Sequence, residues 1–370
     1  MNSNESKLIL LSSGGTGGHM TPAQALGHDL LSRGYRVEVV TDRRGLKYQP
    51  MFEGMKMHCI NAGTLGSGLM GKVMGVFHLL AGIVQAKMLL QRLKPSVVIG
   101  FGGYPSFPGV FAAQKSRIPT IIHEQNAIIG KANAMLASKS ERIALSLPVV
   151  AGLDETDKMR AIITGNPVRP DIAALFTEPY PNVNSDGPLR ILVMGGSLGA
   201  SVFSHVVPKT LARLPSEYRQ RLDVVQQCRE EDLEIAREVY DEAGIQVELA
   251  TFFDDVPERL KRAHLVICRS GASTVAEVTT AGRPAIFVPY PHHKDQQQKM
   301  NADAVADAGG AWMMAESGFT EDALLARIET FLQTPEILFK AAEKARTCGQ
   351  PDAARKLGNL VTAIVSGWKD

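Results

Sequence analysis

The run Arg269-Ser270-Gly271-Ala272-Ser273-Thr274-Val275-Ala276-Glu277 places a glycine, hydroxyl residues and a carboxylate directly after the apolar stretch Leu265-Val266-Ile267-Cys268. A strand ending there and a helix starting at the hydroxyls would aim unpaired backbone N–H groups at an anion such as a pyrophosphate, with no metal ion required. Ser273 or Thr274 is expected to cap that helix. Glu277 lies four residues beyond Ser273 and shares its face, where its carboxylate can accept from both hydroxyls of a ribose. A phosphate seat and a diol acceptor one turn apart describe a nucleotide site; a plain surface charge is the other reading of Glu277. Downstream, His292-His293-Lys294-Asp295-Gln296-Gln297-Gln298 supplies amides suited to sugar hydroxyls. The histidine pair is expected to be solvated rather than a metal site.

A strand, a glycine turn and a helix start recur at half-chain spacing. Leu8-Ile9-Leu10-Leu11 runs into Gly14-Gly15-Thr16-Gly17-Gly18-His19, and Ile191-Leu192-Val193-Met194 runs into Gly195-Gly196-Ser197-Leu198-Gly199-Ala200, 181 positions later in a chain of 370. Glycines let a ligand approach the backbone at a helix N-terminus. Either motif alone is also an ordinary tight turn. The pair predicts two similar open α/β domains, each with its turn at the carboxyl edge of a parallel sheet, and a cleft that sees both. Neither turn has the Gly-x-Gly-x-x-Gly spacing, which argues against a dehydrogenase.

The length also predicts two domains, each with its own core. With 45% hydrophobic and 21% charged residues and a net charge of +2, the chain has an ordinary soluble composition and no global charge for a nucleic-acid partner. Cys59, Cys228, Cys268 and Cys348 form no Cys-x-x-Cys pair, which argues against a zinc site or disulfide frame and suits a reducing cytosol. Leu8 to Leu11 is strand-sized, not a signal segment, so the protein is expected on the cytoplasmic side.

Other elements position these residues. Tyr35 to Thr41 alternates as a second strand. Val97-Val98-Ile99-Gly100 leads into Phe101-Gly102-Gly103-Tyr104-Pro105-Ser106, and Thr120-Ile121-Ile122 ends in His123-Glu124-Gln125-Asn126. In a parallel sheet these polar turns share one rim with the first glycine turn, as a site or as helix caps and satisfied polar groups. Gly165-Asn166-Pro167-Val168-Arg169-Pro170 and the stretch from Thr177 to Pro188 are expected to be hinge and linker. The second half adds strands near Asp223–Gln226, Val247–Leu249, Leu265–Cys268 and Ala285–Pro289. Domains are expected at 1–166 and 167–350, with an amphipathic helix at about 351–370 packing back on the first.

From Val73 to Ala86 there is no charged residue, and Leu69, Met70, Val73, Met74, Val76, Phe77, Leu79, Leu80, Ile83 and Val84 cover nearly all faces of a predicted helix between Lys72 and Lys87. The band falls short of the ~20 residues that span a bilayer. Either it is buried against the sheet, or its outer face (Lys72, Val73, Val76, Phe77, Leu80) dips into a membrane surface. Lys139 and Arg142 could extend a basic rim.

Together these motifs, with Asn301, span about residues 10 to 301. They resemble the GT-B nucleotide-sugar glycosyltransferases, two Rossmann-like α/β domains facing across a cleft. More closely, they resemble glycosyltransferase family 28, whose cell-wall enzymes transfer N-acetylglucosamine from UDP-GlcNAc to undecaprenyl-pyrophosphoryl-muramoyl-pentapeptide (lipid I to lipid II). The chain departs from the pattern at Phe253, where an aliphatic residue is common, and in Pro291-His292-His293, one residue longer.

The resemblance implies that Glu277 binds the ribose, that Ala272, Ser273 and Thr274 with Ser197 bind the diphosphate, with Val275 and Ala276 in the same donor segment, and that the Phe253 backbone binds the uracil. Gln297 and Gln298 would contact the sugar, while Thr16, Gly17, Gly18, Asn126 and Arg169 reach the donor across the cleft. His19 would be the general base, with Gly15, Tyr104, His123 and Glu124 on the acceptor side. It further implies no cofactor or metal, an inverting displacement, a peripheral place on the anionic cytoplasmic face of the plasma membrane, and contact with cell-wall synthesis or division proteins. A polyprenyl-bearing acceptor favours the membrane reading of the apolar helix. The alternatives are another glycolipid transferase, a UDP-GlcNAc 2-epimerase-like isomerase, or a nucleotide-binding module.

Overall fold

The computed structural model describes the backbone of residues 7–63, 68–196, 199–292 and 295–367, and their side chains except at 68–73. The chain divides into two compact units, one ending at Arg169 and resuming at Asp352, the other Pro170–Pro351.

In unit 1, strands β1 (Leu8–Ser12), β2 (Arg36–Thr41), β3 (Lys56–Cys59), β4 (Val97–Gly100), β5 (Thr120–Glu124), β6 (Arg142–Leu145) and β7 (Ala161–Ile163) form a parallel sheet. Its order is β3-β2-β1-β4-β5-β6-β7. The helices are α1 (Gly17–Ser32), α2 (Gly68–Leu93), α3 (Gly103–Lys115), α4 (Lys131–Ala137) and α5 (Glu155–Lys158). Leu8 to Leu11 do not alternate because both faces of β1 are covered. Leu10, Val40, Val98 and Ile122 pack with Leu90 and Val110 on one face. Ile9, Leu11, Val39 and Ile99 pack with Leu26 and Leu30 on the other.

Unit 2 repeats the plan with β8 (Leu189–Met194), β9 (Leu222–Gln227), β10 (Val247–Ala250), β11 (Leu265–Cys268), β12 (Ala285–Phe287) and β13 (Ala311–Met313), ordered β10-β9-β8-β11-β12-β13 and all parallel. Its helices are α6 (Pro170–Ala174), α7 (Ser201–Ala212), α8 (Ser216–Arg219), α9 (Leu233–Glu242), α10 (Val256–Arg262), α11 (Ala272–Thr280), α12 (Gln297–Asp307), α13 (Glu321–Gln333) and α14 (Glu336–Cys348). Part of the stretch expected as hinge and linker is held to this unit. Arg346 donates to the carbonyls of Phe176 and Glu178, and the Tyr180 hydroxyl donates to that of His264.

The last helix, α15 (Ala353–Val365), belongs to unit 1. Leu357, Leu360 and Val361 join the cluster of Leu26 and Leu30, and Arg33 donates to Asn359 Oδ1 at 2.8 Å.

Helix α2 is half core and half surface. Ala86, Leu89 and Leu90 are buried against the sheet, whereas Met74, Val76, Phe77, Leu80, Val84 and Met88 are exposed, Phe77 at 64%. Met74–Leu93 averages a hydropathy of 1.3 over 20 residues, long and apolar enough to cross a membrane by length and composition. That corrects the shorter band inferred from the absence of charge, because Lys87 and Arg92 do not end the apolar pattern. A Cβ on Gly82 would meet the Asn61 carbonyl, so this glycine serves a close backbone approach.

Each sheet reverses its strand order once, between β1 and β4 in unit 1 and between β8 and β11 in unit 2. Ligands of such sheets bind at the carboxyl ends of the strands beside the reversal. The glycines at 14–18, 102–103, 195–196 and 271 mark the four chain exits at these two points.

Candidate active site

In unit 1, β1 delivers the chain into a turn that only glycine fits. A Cβ on Gly14 would stand 2.7 Å from Pro105 Cβ and 2.8 Å from Thr41 Oγ1, and Gly15 has φ +85°. The Gly15 N–H donates to Asp42 Oδ1 at 3.3 Å, Gly45 N–H donates to the same oxygen at 3.0 Å, and Arg44 Nε donates to Oδ2 at 2.8 Å. Thr16 is the N-cap of α1, yet its side chain caps no backbone N–H; its hydroxyl lies 3.4 Å from His19 Nδ1.

The His19 ring packs on the second glycine pair, where a Cβ on Gly103 would lie 3.2 Å from His19 Cε1 and one on Gly102 3.6 Å from Cδ2. The ring is enclosed by protein although the residue keeps an accessible edge. That enclosure pushes its pKa down to about 4, so it is neutral at pH 7. Tyr104 follows Gly103 at the start of α3, 42% exposed.

Below this surface lies a buried polar layer. His123 is fully buried; Gln125 Nε2 donates to its Nδ1 at 3.1 Å and to the Phe101 carbonyl at 2.9 Å, and His123 Nε2–H donates to the Gly165 carbonyl at 3.0 Å. Burial lowers its pKa to about 4. Glu124 Oε1 accepts from the backbone and amide of Asn126 at 3.0 and 3.2 Å, and Oε2 from Gly130 N–H at 2.9 Å and Asn133 Nδ2 at 2.8 Å. Burial pushes this carboxyl above its usual range, and those donors pull it partly back. His123 and Glu124, expected on the acceptor side, are both inside, holding the loops that carry Gly102, Asn126 and Gly165. Arg169 follows, four residues after Gly165.

In unit 2, the turn after β8 has Gly196 at φ +77° and Gly199 at φ +67°, and Ser197 lies outside the described residues. Gln227 Oε1 accepts from Gly195 N–H at 3.1 Å, while its Nε2 donates to the Thr251 carbonyl at 3.0 Å. After β11, Arg269 pairs with Glu316 at 2.5 Å and donates to the carbonyls of Val288 and Pro289, tying together the exits of β11 and β12. The cap of α11 is Gly271 and not the expected Ser273 or Thr274, which sit inside the first turn. Gly271 supplies no side-chain cap and the first turn carries no acid, so no side-chain charge offsets the positive end of the α11 dipole there. Val275 N–H donates to Gly271 O and its side chain is buried.

Ser273 and Glu277 share one face of α11, both partly exposed, as does Ala276 beside them. Gln297 and Gln298 open α12, and Gln298 Oε1 accepts from Tyr290 N–H at 2.9 Å, so any ligand contact falls to its Nε2 donor. Phe253 is buried under the Arg259 guanidinium, 4.1 Å from its ring centroid. Lys72 and Val73 have side chains outside those described; Val76, Phe77 and Leu80 are exposed on α2.

Sequence reasoning missed Asp42, Asn133 and Gln227. Asp42 directly follows β2 and Gln227 ends β9, so their position at the rim could have flagged them; nothing in the sequence marks Asn133.

Residues 9–145 match the glycosyltransferase family 28 N-terminal domain and residues 190–357 the glycosyltransferase family 28 C-terminal domain. The UDP-N-acetylglucosamine--N-acetylmuramyl-(pentapeptide) pyrophosphoryl-undecaprenol N-acetylglucosamine transferase of Rhodospirillum centenum is 52% identical over 95% of this chain and 93% of its own length. The protein of that name from Paramagnetospirillum magneticum is 48% identical over 98% of both. The crystal structure of Acinetobacter baumannii MurG superposes with a TM-score of 0.76 at 30% identity, covering 96% of this chain and 99% of that one. A Neisseria meningitidis UDP-GlcNAc 2-epimerase bound to UDP-GlcNAc has a TM-score of 0.65 at 15% identity over 97% of this chain and all of its own, a likeness of fold alone.

Two parallel-sheet α/β units, each with glycine turns at its strand-order reversal, together with these family matches make the chain a glycosyltransferase of the GT-B class. The chain belongs to glycosyltransferase family 28.

Proposed function

We propose that this chain transfers N-acetylglucosamine from UDP-GlcNAc to undecaprenyl-pyrophosphoryl-N-acetylmuramoyl-pentapeptide, the lipid I to lipid II step of peptidoglycan synthesis. One observation carries the reading: relatives named for such a transfer are 42–52% identical over 95–98% of this chain.

The site chemistry supports it. The first turn of α11 takes the donor diphosphate, with Ser197 in the same role, Glu277 accepts from the ribose hydroxyls, and Gln297 and Gln298 serve the sugar. The Phe253 backbone serves the uracil, and Asn126 and Arg169 add donor contacts. In the tautomer whose Nδ1–H faces Thr16 Oγ1, His19 Nε2 carries the lone pair that takes the proton from the acceptor hydroxyl as it attacks the anomeric carbon. The bond to UDP breaks on the opposite side, its charge meeting the helix N-terminus, and the single displacement turns an α-linked donor into a β-linked product. Thr16, Gly17 and Gly18 likewise serve the donor, and Gly15 and Tyr104 border the acceptor.

The exposed apolar face of α2 holds the enzyme peripherally on the cytoplasmic face of the plasma membrane, where the acceptor's polyprenyl chain resides. Partners in cell-wall synthesis or division fit that location.

The test is labelled UDP-GlcNAc with a short-chain lipid I analogue. Transfer of label, with UDP released only when acceptor is present, is expected. UDP release or sugar epimerisation without acceptor would overturn the reading.

A further inference from the structure

The segment between β2 and β3 walls the first glycine turn and has no part in the mechanism above. Arg44 donates through Nε to Asp42 Oδ2 at 2.8 Å. That pair holds the guanidinium beside the turn, with Nη2 3.8 Å from where a Cβ on Gly15 would begin, and its side chain stays 53% exposed. The next segment, a 3-10 turn at Gly45–Met51, brings Tyr48 over α1, its hydroxyl 3.6 Å from a Cβ position on Gly17. Lys47 Nζ lies 4.9 Å from the Tyr48 ring centroid. The two residues facing this guanidinium and phenol are glycines, so a cradle remains that any side chain at 15 or 17 would fill.

The charge of the cradle is positive. The Asp42 carboxylate is committed, one oxygen to the N–H groups of Gly15 and Gly45 and the other to Arg44. The first turn of α1 contains no acid. What remains turned outward is a planar fork, a hydroxyl donor and a nearby ammonium. Arg forks match phosphoryl oxygens in pairs, and a carboxylate behind the fork restricts its rotation.

We propose that Arg44 and Tyr48 bind the pyrophosphoryl group of the acceptor, so that this pair selects a diphosphate-linked sugar over a monophosphate or neutral glycoside. The inference rests on the acceptor assigned under Proposed function and adds the residues that read its anionic linkage.

Arg44→Gln and Tyr48→Phe test it in steady-state kinetics with the short-chain lipid I analogue. Arg44→Gln should raise the acceptor KM by about tenfold to a hundredfold, the scale of a lost charged hydrogen bond. Tyr48→Phe should raise it severalfold, and the UDP-GlcNAc KM should stay within twofold in both. Inorganic pyrophosphate should inhibit the wild-type enzyme more strongly than Arg44→Gln. Arg43→Gln removes the same charge one residue away and should leave the acceptor KM unchanged.

Three results overturn the proposal: an unchanged acceptor KM in Arg44→Gln, an equal effect in Arg43→Gln, or equal inhibition by pyrophosphate in both proteins. No wild-type turnover with the analogue would instead defeat the proposed reaction, so the two failures are distinguishable.

Discussion

His123 Nε2–H donates to the carbonyl oxygen of Gly165 at 3.0 Å, joining the end of β5 to the loop after β7. Since a carbonyl only accepts, the proton sits on Nε2, and Nδ1 is left to accept from Gln125. The imidazole is thus locked as one neutral tautomer, and protonating Nδ1 would break the Gln125 bond.

The lock makes the protein sensitive to acid. His123 in unit 1 and His264 in unit 2 are both fully buried, with pKa values lowered to about 4 chiefly by burial. Between about 4 and the unfolded value of roughly 6.5 the unfolded chain binds more protons, so stability rises with pH there and is lost as pH falls through that window. Each histidine contributes on the order of 3 kcal/mol to that loss. Calorimetry from pH 8 to 4.5 should show melting temperatures level above pH 7 and falling below it. His123→Gln should flatten the fall for unit 1; an unaltered slope counts against this assignment.

His19 carries the same shift to a catalytic position. If it is the base, kcat/KM should keep its alkaline value down to about pH 5 and decline around 4, not around 6.5. His19→Ala should lower kcat by about 10²- to 10⁴-fold, the range of general-base catalysis. A variant with wild-type turnover would remove the assignment.

Glu277 and Ser273 share the exposed face of α11, and Glu277 is assigned to the ribose. Glu277→Ala should raise the UDP-GlcNAc KM by about tenfold or more while leaving the acceptor KM in place. A donor lacking one ribose hydroxyl should lose less on the variant than on the wild-type enzyme. Equal losses would show that the carboxylate does not read the diol.

Phe77 and Leu80 are exposed on α2, at 64% and 57%. Changing both to Ser should move folding stability by no more than about 0.5 kcal/mol each, as for other surface positions. Each buried apolar side chain is worth about 1.5–3 kcal/mol, so binding to anionic vesicles should weaken by more than tenfold. Sedimentation with vesicles settles it: retained binding would remove α2 as the anchor.

Most strands that flank the site were legible because they are short apolar runs ending in glycine or polar residues, a local pattern. The sequence reading passed over β3, β6, β7 and β13. Each has only three or four residues, and Lys56–Cys59 at one edge is partly exposed, so hydrophobic periodicity has little to act on.

By itself the sequence determined where backbone can approach a ligand. The positive-φ glycines at 15, 102 and 196 and the two-fold repeat of strand, turn and helix are local facts of the backbone. Only the tertiary structure decided which polar side chains remain to meet a substrate. Glu124 and His123 look as accessible in the sequence as Glu277 and His19, yet the first two are buried, held by partners that include Asn133 and Gly165, nine and 42 residues away. Likewise, Asp42 becomes a clamp on Gly15 only because β2 lies beside β1. Hydrogen-bond commitment and burial arise from contacts distant in the chain, so no local pattern of residue types can encode them.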